Sequence, residues 1–247
     1  MSSGPSLPAP QEVTERLLAR VGALNPPIDL HRIVGFWRGL RIVFEELDGS
    51  GYLLPLGRLG AEIIVKNSDS PERQRFTIAH ELGHWVLGLT WQKKTGQFRQ
   101  PPAIRRDRLE KWCDSFAVNL LMPRSSLQEY ILGKDGPTLI EFVLKAPEVF
   151  QVSSEAMFIR LWELCRIQVG VLRFQNSRRG WVLERSYEHR HATGVVDQLL
   201  RVPEIREQLS YPFVFFTAQL KGREFLASGR RCGEGVQSRL ILAIWHR

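Results

Sequence analysis

Apolar residues recur at helical spacing near the start of the chain. Over residues 10–22 they fall on one face of a predicted helix, and that face consists of Val13, Leu17, Leu18 and Val21. After Pro26-Pro27, residues 29–36 are predicted to form a second short helix. The pattern then becomes strand-like in three runs separated by glycine-rich turns: Arg41–Leu47, Tyr52–Leu56 and Glu62–Lys66. These runs predict a small antiparallel sheet.

From Pro71 to Leu89 the pattern returns to helix, and Ser70 is the predicted N-cap. A polar loop follows, and a second strong helix is predicted over residues 106–121, ending before Pro123. Residues 124–166 are mostly helical again. Within them, residues 146–166 read as a helix, a tight turn and a helix capped by Ser153, which resembles a helix-turn-helix unit.

Beyond Gly170 strand-like runs surround a predicted helix near residues 193–208. These runs are Val171–Phe174, Trp181–Arg185, Phe213–Ala218 and Leu240–Trp245. We therefore predict an α+β protein with a domain boundary near residue 168. The predicted parts are a disordered lead (1–9), a core (10–125), a helical, helix-turn-helix-like segment (126–167) and a mixed α/β C-terminal domain (168–247).

The length and composition of the chain indicate the class of protein and its predicted location in the cell. The 247 residues are sufficient for a sizeable core, and no apolar run is long enough for a membrane helix. The N-terminus lacks the basic and apolar regions of a secretory signal. The three cysteines are widely spaced and form no C-x-x-C pair, which argues against a disulfide framework and a cysteine-rich metal site. A reducing cytoplasm is the predicted location.

The formal charge of +8 is partly concentrated in one segment, residues 91–111. Its basic residues are Lys93, Lys94, Arg99, Arg105, Arg106, Arg108 and Lys111. Such a segment can meet nucleic acid or an acidic partner surface, and it can equally be a solvated loop without a partner.

The segment Phe76–His84, FTIAHELGH, carries the most specific chemistry of the chain. His80 and His84 are four residues apart in a predicted helix, so both imidazoles project from one face and can reach a single zinc ion. Glu81 is rotated about 100° from His80, so it borders the metal face and can take a proton from a water on the metal. The helix is apolar almost all round, and buried histidines need partners that a metal would supply.

A third ligand is predicted from the second strong helix. Glu110 would complete a set of two histidines and one glutamate, and the fourth zinc position would stay open for water. Asp114, one turn further, is placed to accept the free N–H of a zinc-bound histidine. Asp107 is the rival ligand, with a shorter reach. Cys113 could bind zinc in principle, although a small buried helix residue is its simpler role.

Two motifs, RQRFTIAHELGH at Arg73–His84 and E-x-x-C-D-x-F-A-x-x-L-L-M-P at Glu110–Pro123, resemble the ImmA/IrrE family of zinc metallopeptidases. The resemblance implies a zincin-like core with His80, His84 and Glu110 as ligands and Glu81 as the base. It also implies Zn²⁺ (or Mn²⁺) and cleavage of a helix-turn-helix repressor, which relieves repression after DNA damage. A departure is Cys113-Asp114, where the family more often has Ala-Asn. The branch linked to radiation resistance has a GAF-like sensor domain at its C-terminus, and residues 168–247 are compatible with it in size.

Several positions stay open from the sequence alone. A donor to the tetrahedral oxyanion is needed, and Tyr130, Arg75 and His191 are candidates. If the strand Ala61–Lys66 is a sheet edge, an extended substrate could pair with it. In the C-terminal domain, residues 222–224 and 229–233 could form an anion-binding loop, and His189 and His191 a minor metal site. The alternative function is a DNA-binding regulator in which the zincin-like fold is only a scaffold; salt-sensitive duplex binding through the basic segment would favour it.

Overall fold

The computed structural model describes residues 7–23, 25–95, 105–131, 145–165, 171–177, 180–187, 213–220, 223–232 and 239–246. The chain divides into two units. One consists of Met1–Tyr130 with Glu148–Val152, and the other of Ile131–Pro147 with Ser153–Arg247. Among the residues that the structure describes, every helix is too short or too polar to span a lipid bilayer.

Five helices of the first unit follow the predicted pattern. They are α1 (Pro10–Val21), α2 (Leu30–Val34), α3 (Pro71–Thr95), α4 (Arg106–Leu121) and α5 (Arg124–Ile131). The predicted N-cap of α3 is confirmed, because Ser70 Oγ accepts a hydrogen bond from the backbone N–H of Arg73 at 3.3 Å. Helix α3 runs past the predicted end at Leu89. Before α1, the carbonyl of Pro8 accepts a 2.7 Å bond from Trp112 Nε1 of α4.

The sheet of the first unit is mixed, so the prediction of an antiparallel sheet was wrong for one strand. Its strands are β1 (Leu40–Glu45), β2 (Gly51–Pro55) and β3 (Ala61–Lys66), in the order β1-β3-β2. Strand β1 pairs with β3 in parallel, and β2 pairs with β3 antiparallel. The physical reason is burial: Ala61, Ile63, Ile64 and Val65 are all buried, so the most apolar strand takes the centre. Strand β3 is therefore paired on both sides, and β1 and β2 are the edges.

Helices α3 and α4 pack against each other and bring the two motifs together. Leu82 of α3 and Phe116, Ala117 and Leu120 of α4 are fully buried. The same packing places His80, Glu81 and His84 of α3 opposite Glu110 of α4, because these residues lie on the sides of the two helices that face each other. The apolar contacts thus fix the distance between the candidate metal ligands.

Gly60 closes the hairpin between β2 and β3 at a point where only glycine fits. Its φ is 114°, and an added Cβ would lie 2.1 Å from the carbonyl oxygen of Gly39. We expect Gly60→Ala to lower the free energy of unfolding by at least about 2 kcal/mol. Gly49→Ala, with nothing within 4 Å of the added Cβ, is the matched control. Urea denaturation of both variants checks this, and equal stability of the two would contradict it.

The second unit contains helix α7 (Ser154–Cys165). Residues 145–150, which we name α6, are also helical, and residues 148–150 of this helix belong to the first unit. Ser153 caps α7 as predicted, because its Oγ accepts a 3.2 Å bond from the backbone N–H of Ala156. Met157 and Leu161 are buried, as expected for the inner face of α7. The structure therefore shows a helix, a turn and a helix over residues 145–165.

A five-stranded antiparallel sheet forms the rest of the described second unit. Its strands are β4 (Val171–Ser177), β5 (Gly180–Tyr187), β6 (Phe213–Leu220), β7 (Arg223–Cys232) and β8 (Arg239–His246), in the order β5-β4-β8-β7-β6. The sequence analysis missed β7 because glycine and arginine interrupt its pattern. Residues 223–224 and 229–232, for which an anion-binding loop was left open, belong to strand β7. His189 and the predicted helix near 193–208 lie outside the described residues.

Candidate metal centre

The middle of α3 presents two histidines from a largely buried helix. Ile78, Ala79 and Leu82 around them are buried. The side chains of His80 and His84 keep 15% and 12% of their surface exposed. Their Nε2 atoms lie 3.2 Å apart, as their spacing of one helical turn allows. The pair can therefore offer two ring nitrogens to one small ion.

Glu110 of α4 supplies a third atom at the same place. Its Oε2 lies 3.1 Å from His80 Nε2 and 3.5 Å from His84 Nε2. A zinc ion with bonds of about 2.0–2.1 Å and tetrahedral geometry separates neighbouring ligand atoms by about 3.3 Å. The three measured separations are close to this value. The residues present therefore fit a four-coordinate ion with one position left over.

Asp114 orients the first histidine of the pair. Its Oδ1 lies 2.9 Å from His80 Nδ1. Because a carboxylate can only accept, Nδ1 is the donor of this contact. The other ring nitrogen, Nε2, faces Glu110 and His84. Asp114 therefore orients the ring so that Nε2 is directed into the cluster.

Two other residues compete for the role of third ligand. Asp107 is 57% exposed and pairs with Arg105, whose Nε is 3.2 Å from Asp107 Oδ1, so its carboxylate is engaged outside the cluster. Cys113 Sγ and one nitrogen of each histidine all lie within 4.8 Å of one another. We prefer Glu110, because its separations match a zinc site. Burial, followed by the charges of Glu110, Glu81 and Asp114, raises the pKa of the Cys113 thiol in the metal-free protein.

Glu81 lies beside this cluster in a poorly hydrated position, with 8% of its surface exposed. Burial raises the pKa of Glu81 from 4.5 to about 7. The charge of His80 opposes this shift, that of Glu110 adds to it, and a hydrogen bond from the backbone N–H of Leu53 opposes it. A carboxyl group with this pKa can both accept and return a proton near neutral pH.

The shifted pKa of Glu81 predicts how the stability of the metal-free protein depends on pH. Because the folded pKa of about 7 exceeds the ordinary 4.5, the contribution is complete below pH 4.5 and is lost as pH rises through about 7. We expect a loss of up to about 3 kcal/mol. Urea unfolding at pH 4.5 and pH 8 should show this component in the wild type and not in Glu81→Gln. Identical pH dependence in both would contradict it.

The candidate oxyanion donors are not brought together by the described contacts. Arg75 Nη2 donates a 2.8 Å bond to the carbonyl of Ile28, and burial lowers the pKa of Arg75. Tyr130 packs edge-on against Phe150, with ring centroids 5.7 Å apart. His191 lies outside the described residues. The structure thus singles out none of the three.

The sequence analysis missed the contribution of Leu53 to the site. Its donor is a backbone N–H, and no side-chain signal marks it.

Of the basic segment at residues 91–111, Arg105 and Arg106 are described and highly exposed, at 86% and 93%. Arg106 Nε lies 4.0 Å from Glu110 Oε1, so it approaches the site from solvent. Arg99 lies outside the described residues, as do the side chains of Lys93 and Lys94.

Comparison with known proteins agrees with this geometry. The family model of the IrrE N-terminal-like domain matches residues 38–161. The radiation response metalloprotease IrrE of Deinococcus radiodurans is 30% identical over an alignment of 166 residues, and the match covers 62% of this chain and 46% of that protein. The protein of the same name from Deinococcus deserti is 29% identical over 141 residues, 54% of this chain and 47% of that protein. The alignments thus span about half the length of these relatives.

A solved structure shares the fold. A transcriptional regulator of Mycobacterium tuberculosis superposes with a TM-score of 0.62 over 97% of this chain and 77% of that chain, at 14% identity. At this identity the likeness supports the fold alone. The matched family segment, residues 38–161, includes both helices of the candidate metal centre and about half of the chain. The chain therefore belongs to the ImmA/IrrE family of metallopeptidases.

Proposed function

We propose that this chain is a zinc-dependent endopeptidase in which His80, His84 and Glu110 hold the ion and Glu81 is the general base. The observation that carries the proposal is the set of three ligand-atom separations of 3.1–3.5 Å beside a buried carboxyl group. Nitrogen and oxygen donors with an open position suit Zn²⁺, and Mn²⁺ is the alternative ion. A bound ion would supply Lewis acidity to a water and to the scissile carbonyl.

In the proposed reaction, residues of the chain transfer the proton and orient a metal ligand. Glu81 takes a proton from the attacking water and returns it to the nitrogen of the leaving amine. Its pKa of about 7 allows both transfers without a large energetic cost. Asp114 would hold the Nδ1 side of His80, so that Nε2 is directed toward the ion. The scarce exposure of Glu81 and the histidines limits competing contacts with bulk water.

The proposed substrate is a helix-turn-helix repressor, cleaved in a stress response to DNA damage. The names of the two Deinococcus relatives, radiation response metalloproteases, support this role. The test is incubation of the purified protein, with zinc or manganese added, against the small helix-turn-helix repressors of its own organism. We expect discrete fragments by mass spectrometry and no cleavage after chelation. Repressors that stay intact with every metal would overturn the proposal.

A second candidate is a DNA-binding regulator that uses the zincin-like fold as a scaffold. The high exposure of Arg105 and Arg106 and the α6-turn-α7 segment favour it. It predicts duplex binding that weakens steeply with salt and is lost when Lys93, Lys94, Arg105 and Arg106 are reversed in charge. A peptidase without a DNA role should cleave its repressor equally well after this change.

We also propose that residues 168–247 form a GAF-like sensory domain. The supporting feature is the five-stranded antiparallel sheet with the strand order β5-β4-β8-β7-β6. The unit would then report a signal to the peptidase.

A further inference from the structure

We infer that Cys113 gives the candidate metal centre a second donor set, in which its sulfur and the two histidines bind a soft cation that prefers sulfur, such as Cd²⁺ or Cu⁺. One ligand atom from each of His80, His84 and Cys113 lies within 4.8 Å of the others. Zinc would use Glu110 and a soft ion would use Cys113, so the identity of the metal decides which residue of α4 binds it. The binding does not rest on the proposed peptidase function.

The close crossing of α3 and α4 explains why a cysteine lies beside the histidines. Gly83, the residue before His84, is at this crossing: an added Cβ there would lie 3.3 Å from Cys113 Cα and 3.4 Å from Cys113 Cβ. Only a small residue of α4 fits at such a point, and Cys113 is completely buried. The sulfur is therefore enclosed by the two helices, within reach of both imidazoles.

The separations between ligand atoms distinguish the two donor sets. A tetrahedral zinc ion, with bonds of about 2.3 Å to sulfur and 2.0–2.1 Å to nitrogen, would hold these two atoms about 3.6 Å apart. The set with Glu110, in which its Oε2 lies 3.1 Å and 3.5 Å from the histidine nitrogens, already suits zinc. The set with Cys113 spans up to 4.8 Å. A larger ion, whose bonds are longer, matches this wider set better.

The chemistry of the donors favours the same division. Thiolate sulfur is a soft ligand that selects soft ions, whereas carboxylate oxygen suits harder ones. When the sulfur binds an ion, the thiol proton is released to solvent. A buried thiolate without a partner would be costly, and the bound cation compensates its charge. The site therefore accepts Cys113 as a ligand only when the ion gains enough from a bond to sulfur.

A soft ion held in this way should inhibit the proposed peptidase. Two histidines, Cys113 and Glu110 together supply four protein donors, which fill a tetrahedral site and leave no position for water. Glu81 would then have no metal-bound water from which to take a proton. This consequence, unlike the binding itself, rests on the proposed function.

Titration of the zinc-free full chain with cadmium chloride tests the second donor set without any peptidase activity. We expect stoichiometric Cd²⁺ to produce the ultraviolet charge-transfer band of a metal–thiolate bond. The band should be absent in Cys113→Ala, in Cys113→Ser, which keeps the size of the side chain, and in His80→Ala. The matched control is Cys165→Ala, which removes a thiol on α7 and should keep the band.

The affinities of Cys113→Ala for the two metals complete this test. Cadmium should bind at least about ten-fold more weakly than to the wild type, whereas zinc should bind equally well. Competition with a chelator of known affinity measures both. A thiolate band that persists in Cys113→Ala and Cys113→Ser, or equal losses of cadmium and zinc affinity in both variants, would overturn the inference.

An activity measurement extends the test to the reaction. Cadmium added to the zinc-loaded protein should inhibit repressor cleavage by the wild type at a concentration at least about ten-fold lower than for Cys113→Ala, each relative to its own rate with zinc alone. Equal sensitivity of the two would overturn the inhibitory role of Cys113. If the wild type cleaves no repressor with zinc, the proposed function fails, and the cadmium titration still decides the donor set.

Discussion

Replacing Glu81 by glutamine is expected to lower the rate of repressor cleavage by roughly 10²–10⁴-fold. Glutamine has nearly the same size as glutamate, and it cannot accept a proton at neutral pH. The loss should therefore arise from chemistry and not from folding. Single-turnover cleavage of a repressor, with enzyme in excess, measures the chemical step without interference from product release.

The control for this prediction is metal content. Glu81 borders the three ligand atoms and is not one of them, so Glu81→Gln should bind zinc with the stoichiometry of the wild type. A protein that acts only by binding DNA would keep its full function in this variant. Cleavage at the wild-type rate by Glu81→Gln would contradict the assignment of the general base, whereas loss of zinc would show that Glu81 is a ligand.

Removing the carboxylate of Glu110 should weaken zinc binding by more than the 10–100-fold typical of an outer hydrogen-bond partner. The reason is that Glu110 supplies one of the three atoms separated by 3.1–3.5 Å, and no other described carboxylate approaches both histidines as closely. Competition titration of Glu110→Ala against a chelator of known affinity measures the change.

Neighbouring positions on α4 provide graded controls. Asp107→Ala should bind zinc as the wild type does, because Asp107 is exposed and paired with Arg105. Asp114→Ala should show an intermediate loss, since it acts through His80. Cys113→Ala should leave affinity nearly unchanged. A large loss in Cys113→Ala, together with little change in Glu110→Ala, would transfer the third ligand to the cysteine.

The helices that carry the site could be predicted from the sequence because their signals are local. The bounds of α3 and α4 could be predicted to within a few residues from helical spacing, the Ser70 cap and the stop at Met122-Pro123. The exception is the C-terminal end of α3, which is longer than predicted. The convergence of Glu110 on the histidines followed from the apolar face that α4 must bury. The fold class followed from the same alternation of patterns.

Strand pairing could not be predicted as well because it depends on competition for burial. The three strands were predicted to form an antiparallel sheet, and β1 instead pairs with β3 in parallel. Strand β3 lies between β1 and β2, since its four buried residues gain most from the central place. The effect of the Leu53 backbone on the pKa of Glu81 could not be predicted for another reason. The direction of a backbone amide depends on the register of the strand, and register is a property of the folded sheet.

X-ray absorption at the zinc edge of the metal-loaded protein tests the central claim most directly. The account predicts two imidazole nitrogens and carboxylate or water oxygens at about 2.0–2.1 Å from zinc, with no sulfur neighbour. The imidazole signal should lose one ring in His80→Ala. A sulfur at about 2.3 Å, or a zinc environment without two imidazoles, would contradict the proposed centre of His80, His84 and Glu110.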